Sequence, residues 1–295
     1  MLSIYKRAAR LLAGSFVLLC LLSPAQASMF ADVTPTPAPS PTPYAPAPVE
    51  TPIPTATATA VPGFSLEIVT TNEKASADET PFRVLIYHTH TYEAFTATEQ
   101  YPYTSTEKWR TSNSQRNVVA LGAYLTELLT QAGVSVTHDT SAFEPPTLSS
   151  AYERSLSMLE ERTQNGEKYD LYIDLHRDAY SEGNGPNTVE KDGETIARLM
   201  FLIGKGTGQT GAGYDIKPDF DSNHTIAQLL TNRLNIQLEN LCRAVKVKSG
   251  RYNQHIAPCC VLIEVGNNRN TLEEALRAMP YLCNAICSLA DGQIE

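Results

Sequence analysis

Residues 84–95 read VLIYHTHTYEAF, an apolar run that leads directly into His88, His90 and Glu93. Consecutive large apolar side chains are typical of a strand that is buried on both faces of a sheet. The polar side chains that follow must then lie at the carboxyl end of that strand. The sequence therefore predicts a buried strand, Arg83–Tyr87, that brings two imidazoles and a carboxylate to one edge of a sheet.

Strand and helix patterns alternate along the rest of the chain. The further predicted strands are 134–137, 169–175, 198–203 and 260–265, and the predicted helices are 117–132, 148–163, 223–244 and 271–289. The last helix opens with Thr271 and Glu274, which have the spacing of a capping box. This alternation predicts one α/β domain with a mainly parallel sheet flanked by helices on both faces.

The first 80 residues differ in composition from the rest. A basic segment precedes an apolar run at 11–22 and a small-residue AQA site that ends at Ala27, as in export signals. Residues 1–30 are predicted to be a cleaved signal peptide or an uncleaved membrane anchor. Residues 31–80 are rich in Pro, Thr and Ala and predict a disordered linker. Both readings of the N-terminus place the domain at 81–295 outside the cytoplasm.

The composition argues against nucleic acid as a partner. The chain has 23 Lys and Arg residues against 32 Asp and Glu residues, which gives a formal net charge of −9. Binding to a phosphate backbone requires basic surface. Hydrophobic residues make up 42% of the chain, which is enough for a globular core.

Two later strands also end in residues that carry chemistry. The strand at 169–175 runs into His176 and Arg177, and the strand at 260–265 contains Glu264 and is followed by Asn267. Ligands of parallel α/β sheets bind at the carboxyl ends of the strands. Two histidines, a carboxylate ligand and a separate glutamate for proton transfer are the donor set of a catalytic zinc site. Glu264 alone would be explained equally well by a buried salt bridge.

The remaining histidines and the cysteines carry weaker signals. His138, His224 and His255 are interpreted as ordinary polar residues at strand ends and in loops. Beyond the predicted signal the chain has an odd number of cysteines without CxxC spacing, namely Cys242, Cys259, Cys260, Cys283 and Cys287. Buried free thiols are the favoured interpretation. A cysteine nucleophile would need a neighbouring base, for which His255 is the candidate.

Five segments, in this order, resemble the stage II sporulation protein P family: IYHTHTYEAF, RTSNSQRNVVALG, DLYIDLHRDA, RYNQHIAP and LIEVGNNRNTLEEALRAM. The resemblance extends from about Phe82 to the C-terminus. It implies an amidase-like α/β fold and a peptidoglycan hydrolase of endospore-forming bacteria, related to the zinc-dependent N-acetylmuramoyl-L-alanine amidases. Cleavage of peptide cross-links is implied as a second activity. The implied location is the septal membrane, with stage II sporulation proteins D and M as partners.

The same resemblance implies roles for individual residues. His90 and His176 match the two zinc histidines, and Glu264 matches the catalytic glutamate. The carboxylate ligand of the related amidases begins their first helix, where this chain has Asn113. Since an amide is a poor zinc ligand, Glu93 is the better candidate.

Several assignments near these residues stay open. His88 is an alternate ligand in place of His90 or Glu93. Arg177 and Asn267 are predicted to bind substrate, although Arg177 could instead form a salt bridge. Asp174 and Asp178 could orient the ligand imidazoles.

Two other classes of function compete with a zinc hydrolase. One is a non-catalytic wall-binding or scaffold module of the septal complex, which would keep the fold without the metal. The other is a Cys/His hydrolase, which a thiol alkylator would inactivate and a chelator would not.

Overall fold

The computed structural model describes residues 81–179, 185–211 and 213–292. The signal or anchor predicted for residues 1–30 and the linker predicted for residues 31–80 lie outside these ranges. Within them, no helix combines the length and the apolar character that crossing a membrane requires.

A six-stranded sheet forms the centre of the domain. The described strands are β1 (Arg83–Tyr87), β2 (Ser135–His138), β3 (Leu171–Asp178), β4 (Thr188–Lys191), β5 (Glu194–Ala197), β6 (Leu199–Gly204), β7 (Lys246–Lys248) and β8 (Cys260–Asn267). The order in the sheet is β2-β1-β3-β8-β6-β7, and β4 pairs with β5 in a separate hairpin. In the six-stranded sheet only β6 and β8 are antiparallel neighbours. The predicted α/β fold with a mainly parallel sheet is therefore confirmed.

Helices cover both faces of this sheet. The described helices are α1 (Val118–Gln131), α2 (Ala151–Gln164), α3 (Phe220–Gln237) and α4 (Leu272–Ala290). The apolar faces of α1, α3 and α4 share one large core with the sheet. Leu159 of α2 packs on the opposite face, in a smaller cluster with Leu85, Tyr87 and Tyr172. The side chains that point toward α2 matter below, because they include the candidate site.

The ends of α1 and α4 follow from their sequences. The side chain of Asn117 accepts a hydrogen bond of 3.0 Å from the backbone N–H of Val119 at the start of α1. At the start of α4, Thr271 Oγ1 accepts from the backbone of Glu274 at 3.2 Å, and Glu274 accepts from the backbone of Thr271 at 3.0 Å. The predicted capping box is confirmed.

The helix predicted at 223–244 differs from the observed one. Asp219 caps it by accepting from the backbone of Ser222 at 3.2 Å, so α3 begins earlier than predicted. It ends at Gln237, because Leu238 is extended, with φ −150° and ψ 119°. Leu241 is fully buried beyond that end. The chain turns at Glu239 and Asn240, but the apolar residues Leu241 and Cys242 continue the helical pattern, and the prediction overran for that reason.

Three short strands were not predicted. All three residues of β7 are exposed, so Lys-Val-Lys carries no apolar signal. The β4–β5 hairpin turns at Asp192 and Gly193, whose φ angles are 53° and 83°. Asp-Gly at such a turn is a strong hairpin signal, and it would have identified this element.

Candidate active site

The register of the sheet places the two later candidate residues side by side. His176 on β3 is the direct partner of Glu264 on β8. The register then slips before Asp178, and Gly266 has a φ of 58° at this point. A Cβ at Gly266 would lie 2.5 Å from Asn270 Oδ1, so a larger residue would force this turn apart. The break in the ladder therefore leaves His176 and Glu264 at the carboxyl edge.

His176 lies between two carboxylates. Its Nε2 is 2.7 Å from Asp174 Oδ1, and its Nδ1 is 3.3 Å from Glu93 Oε2. Burial opposes a charge on the ring, but the two carboxylates outweigh burial and raise the pKa of His176 well above its usual range. Burial also opposes the negative charge on Glu93. Arg177 and His176 outweigh burial, so the pKa of Glu93 falls to about 2. The centre therefore favours a bound cation.

His90 completes the cluster after β1. Its ring meets the His176 ring edge-on, with the centroids 5.4 Å apart. Its Nδ1 is 3.4 Å from Glu144 Oε1. Glu144 is buried, pairs with Arg110 and accepts a 3.0 Å hydrogen bond from the backbone of Tyr92. The structure thus brings together His90, Glu93 and His176.

Glu264 is chemically distinct from Glu93. It is half-buried, and among the described residues its buried Oε2 has no hydrogen-bond partner. Burial raises the pKa of Glu264 to about 8, with His176 opposing the rise. A carboxyl group that titrates near neutral pH and keeps an unpaired oxygen is suited to proton transfer.

Both ring nitrogens of His88 have partners outside the candidate cluster. Its Nδ1 is 2.8 Å from the carbonyl oxygen of Leu175, and its Nε2 is 2.8 Å from His138 Nε2. A carbonyl can only accept, so Nδ1 of His88 carries the proton and Nε2 accepts one from His138. A Cβ at Gly122 would lie 2.6 Å from His88 Nε2, so α1 packs closely on the pair. His90, not His88, faces the cluster.

The His88–His138 pair predicts acid sensitivity. Burial lowers the pKa of His138 to about 4, against about 6.5 in an unfolded chain. Between these values the unfolded state binds the proton that the folded state excludes. The free energy of unfolding of the metal-free protein should therefore fall by about 2 kcal/mol between pH 7 and pH 5 through this site. Urea unfolding at both pH values measures the loss.

The matched variants are His138→Gln, which keeps a donor for His88, and His224→Gln on α3. We expect the first to lose less stability than the wild type on acidification and the second to lose as much. An equal loss in all three proteins would show that the pair does not stay neutral.

The Arg177 side chain is buried and makes its contacts within the protein. It is 8% exposed, and its Nε and Nη2 donate to the carbonyl oxygens of Ala94 and Trp109 at 2.9 and 3.2 Å. Its Nη1 is 3.8 Å from Glu93 Oε1. These contacts fix the loop that carries Glu93, and the peptide-binding role predicted for Arg177 stays a prediction.

The other two candidates at this edge also have internal partners. Asn267 donates through Nδ2 to the carbonyl oxygen of Gly185 at 3.1 Å and accepts from the backbone of Arg269 at 2.8 Å. Asp178 forms an ion pair of 2.6 Å with Arg243. Asp178 is thus held by an arginine, whereas Asp174 contacts the candidate ligand His176.

Two neighbours of the site were not predicted. Glu144 belongs to an aperiodic FEPP segment, and its contact with His90 joins distant parts of the chain. Tyr152, at the start of α2, packs edge-on against His90 with centroids 5.5 Å apart, and Tyr252 follows at 5.8 Å from Tyr152. A lone carboxylate within an apolar, proline-flanked segment was the available signal for Glu144.

The thiols are poorly suited to nucleophilic chemistry. Cys242, Cys260, Cys283 and Cys287 are buried, and Cys259 is half-buried. Burial raises the pKa of the Cys242 thiol to about 11 and raises that of Cys260 still further. Because the thiolate is the reactive form, Cys242 and Cys260 favour packing over catalysis, whereas contact with Cys283 lowers the pKa of the buried Cys287.

The candidate ligands are of the donor types that zinc binds. In the ranges that the structure describes, no group of three or more His, Cys, Asp or Glu side chains is arranged so that it could hold a metal ion. One separation does fit: His176 Nδ1 and Glu93 Oε2 are 3.3 Å apart. Two ligands at about 2.0–2.1 Å from one tetrahedral ion are about 3.3–3.4 Å apart. The residues His90, Glu93 and His176 thus match zinc in donor type, and one pair of them matches it in spacing.

The fold and the cluster define an α/β protein with a histidine–carboxylate centre at the carboxyl edge of its sheet. The family model of stage II sporulation protein P matches residues 56–287, and the chain belongs to this family. A curated relative, stage II sporulation protein P of Bacillus subtilis (strain 168), is 24% identical in an alignment of 206 residues that covers 66% of this chain and 48% of the relative. The aligned part thus spans about half the length of that relative. The predicted family is confirmed.

Solved structures of amidases are similar in shape. The CwlD amidase from Clostridioides difficile, in complex with the GerS lipoprotein, has a TM-score of 0.45 and 13% identity, covering 72% of this chain and 99% of CwlD. The amidase AmiC2 of Nostoc punctiforme has a TM-score of 0.43 and 10% identity, covering 70% and 96%. With TM-scores below 0.5, these similarities assign no function to the chain.

Proposed function

We propose that the chain is a zinc-dependent peptidoglycan hydrolase that cleaves the amide between N-acetylmuramic acid and the stem peptide. The observation that carries the proposal is the pairing of His176 with Glu264 across β3 and β8. It sets a glutamate with an unpaired oxygen beside a cluster that favours a cation. Membership of the stage II sporulation protein P family supports the same function.

Each residue has a distinct part in this reaction. His90, Glu93 and His176 would hold zinc, which supplies Lewis acidity toward the scissile carbonyl and toward water. Glu264 takes the proton of the attacking water and returns it to the leaving amine. The proton on Glu264 is gained and lost once in each cycle, so the carboxylate is regenerated. Arg177 keeps Glu93 charged and in place.

The setting of the reaction is also part of the proposal. The signal-like N-terminus supports export and attachment to the septal membrane, where the domain would remodel the wall during engulfment. Family membership supports peptidoglycan as substrate, with peptide cross-links as a second cleavage site. Stage II sporulation proteins D and M are the proposed partners.

Cleavage of muramyl peptides by the full chain tests the proposal. We expect incubation to release free L-alanine amino groups and intact lactyl ends. A chelator should reduce the rate to background, and stoichiometric zinc should restore it. Release of new amines from within the peptide stem would identify the cross-link activity separately.

The rival classes give different results in the same assay. Binding to intact wall without cleavage, with or without zinc, would favour the wall-binding or scaffold module. Activity that survives the chelator and is lost with a thiol alkylator would favour a Cys/His hydrolase.

A further inference from the structure

Thr89 lies between His88 and His90 and is fully buried. Its backbone N–H donates to Asp174 Oδ1 at 2.8 Å, and its hydroxyl donates to Asp174 Oδ2 at 2.7 Å. Both oxygens of one carboxylate are therefore held by one residue. Two bonds fix the plane of the carboxylate, whereas one would leave it free to rotate.

Asp174 in turn orients the ring of His176. The two residues are on the same face of β3, and Asp174 Oδ1 lies 2.7 Å from His176 Nε2. The contact is an ion pair rather than an aligned hydrogen bond, and because an ionised carboxylate can only accept, it favours a proton on Nε2. The other ring nitrogen, Nδ1, is left facing Glu93 at 3.3 Å.

The chain of hydrogen bonds continues behind Thr89. Ser155 Oγ on α2 is 2.9 Å from Thr89 Oγ1, and Asn253 Nδ2 donates to Ser155 Oγ at 3.0 Å and to the carbonyl of Tyr152 at 2.8 Å. The Thr89 hydroxyl has one proton, which goes to Asp174, so the bond from Ser155 must be donated to Thr89. The bonds from Asn253 to Ser155, from Ser155 to Thr89 and from Thr89 to Asp174 thus run in one direction, while the Tyr152 carbonyl oxygen is a second acceptor, 3.3 Å from Ser155 Oγ.

All four residues of this hydrogen-bonded series are buried. Thr89 and Ser155 are 0% exposed, Asp174 is 1% exposed and Asn253 is 4% exposed. In such surroundings a lost bond is not replaced by solvent. Asn253 also has a φ of 54°, so the loop accepts a disfavoured backbone conformation while it makes these contacts.

We propose that Thr89 is a positioning residue of the centre, which locks Asp174 so that His176 presents Nδ1 to the metal. The inference rests on the proposed function, in which His176 is a ligand. A histidine ligand is commonly oriented by a carboxylate, and loss of such an outer partner costs about 10- to 100-fold in metal affinity. Here the hydroxyl of Thr89 orients the carboxylate itself, one step further from the ion.

Two substitutions at one position separate positioning from packing. Thr89→Val keeps the shape and the backbone N–H but removes the hydroxyl, and Thr89→Ser keeps the hydroxyl but removes the methyl group. Competition with a chelator measures the zinc affinity of the full-length protein. We expect Thr89→Val to bind zinc about 10- to 100-fold more weakly than the wild type, and Thr89→Ser to stay close to the wild type.

Nitrogen NMR of the His176 ring supplies a second readout, which does not need zinc. We expect the Nε2–H signal of His176 in the metal-free protein to show the same contact with Asp174 in the wild type and in Thr89→Ser, and a weakened contact in Thr89→Val. Equal zinc affinity in Thr89→Val and the wild type, or equal losses in both variants, would overturn the positioning role.

Failure of the proposed function gives a different result. If the wild type binds no zinc, that function is overturned, and the Nε2–H signal of His176 alone then decides the role of Thr89. If Thr89→Val does not fold, Ser155→Ala removes the donor to Thr89 and should weaken the Nε2–H contact of His176 with Asp174 in the same direction. An unchanged ring in Ser155→Ala would likewise count against the hydrogen-bonded chain.

Discussion

Glu264→Gln is expected to lower the rate of muramyl-peptide cleavage by about 10²- to 10⁴-fold, the usual cost of losing a general base. Zinc content should remain that of the wild type, because Glu264 is not among the proposed ligands. The domain should be as stable or slightly more stable, since the substitution removes a group whose charged form burial disfavours. Initial rates, zinc content and urea unfolding of the same preparation measure the three effects.

Glu273→Gln is the matched control for this experiment. Glu273 is also half-buried and also has a buried Oε2 without a hydrogen-bond partner, but it lies on α4 and accepts from Thr98. We expect wild-type rates from it. A wild-type cleavage rate in Glu264→Gln would refute the proposed hydrolytic mechanism. The wall-binding module would then be the better explanation.

His176→Ala should abolish stoichiometric zinc binding. His176 stands between Asp174 and Glu93, so its loss removes one ligand and leaves two buried carboxylates without their cation. We expect zinc affinity to fall by more than about 100-fold, because the loss even of outer partners costs 10- to 100-fold. Elemental analysis after dialysis measures the bound metal, and activity should fall to background with it.

Glu93→Gln and His224→Ala complete the series. A neutral amide is a far poorer ligand than a carboxylate, so the Glu93 variant should also be metal-poor. His224 lies on α3 and should be dispensable for zinc. Stoichiometric zinc in His176→Ala would refute the ligand set, and a metal-replete Glu93 variant beside a metal-poor Glu264 variant would exchange the roles of the two glutamates.

The parts of the fold that the sequence predicted are those with strong periodic signals. The runs before His88, before His176 and around Glu264 are apolar and bounded by polar residues, and they became β1, β3 and β8. Because parallel strands end at a common edge, the convergence of His90, His176 and Glu264 could be inferred without coordinates. The exposed strand β7 has no such pattern, and the end of α3 was hidden by apolar residues of the following segment.

The rest of the site depends on contacts that no local pattern records. His88 and His90 look equivalent in sequence, but the chain turns after β1, so one pairs with His138 and the other with the cluster. Glu144 reaches His90 from an irregular loop. Asn253, in the loop between β7 and β8, is linked to the centre through its hydrogen bond to Ser155. These partners are determined by packing of distant segments, which sequence alone did not reveal.

The order of strands in the sheet has a consequence for when the centre can exist. β3 lies between β1 and β8, which come from opposite ends of the domain's sequence, so His90, His176 and Glu264 meet only once the last strand has docked. A chain that ends before β8 can form the β1–β3 pair but has no proton carrier. A ligand that binds only the folded state stabilises that state in proportion to the logarithm of its concentration. Because the three proposed zinc ligands lie just after β1 and on β3, zinc would stabilise the β1–β3 pair before β8 docks, and only the gain of hydrolytic activity would report that folding is complete.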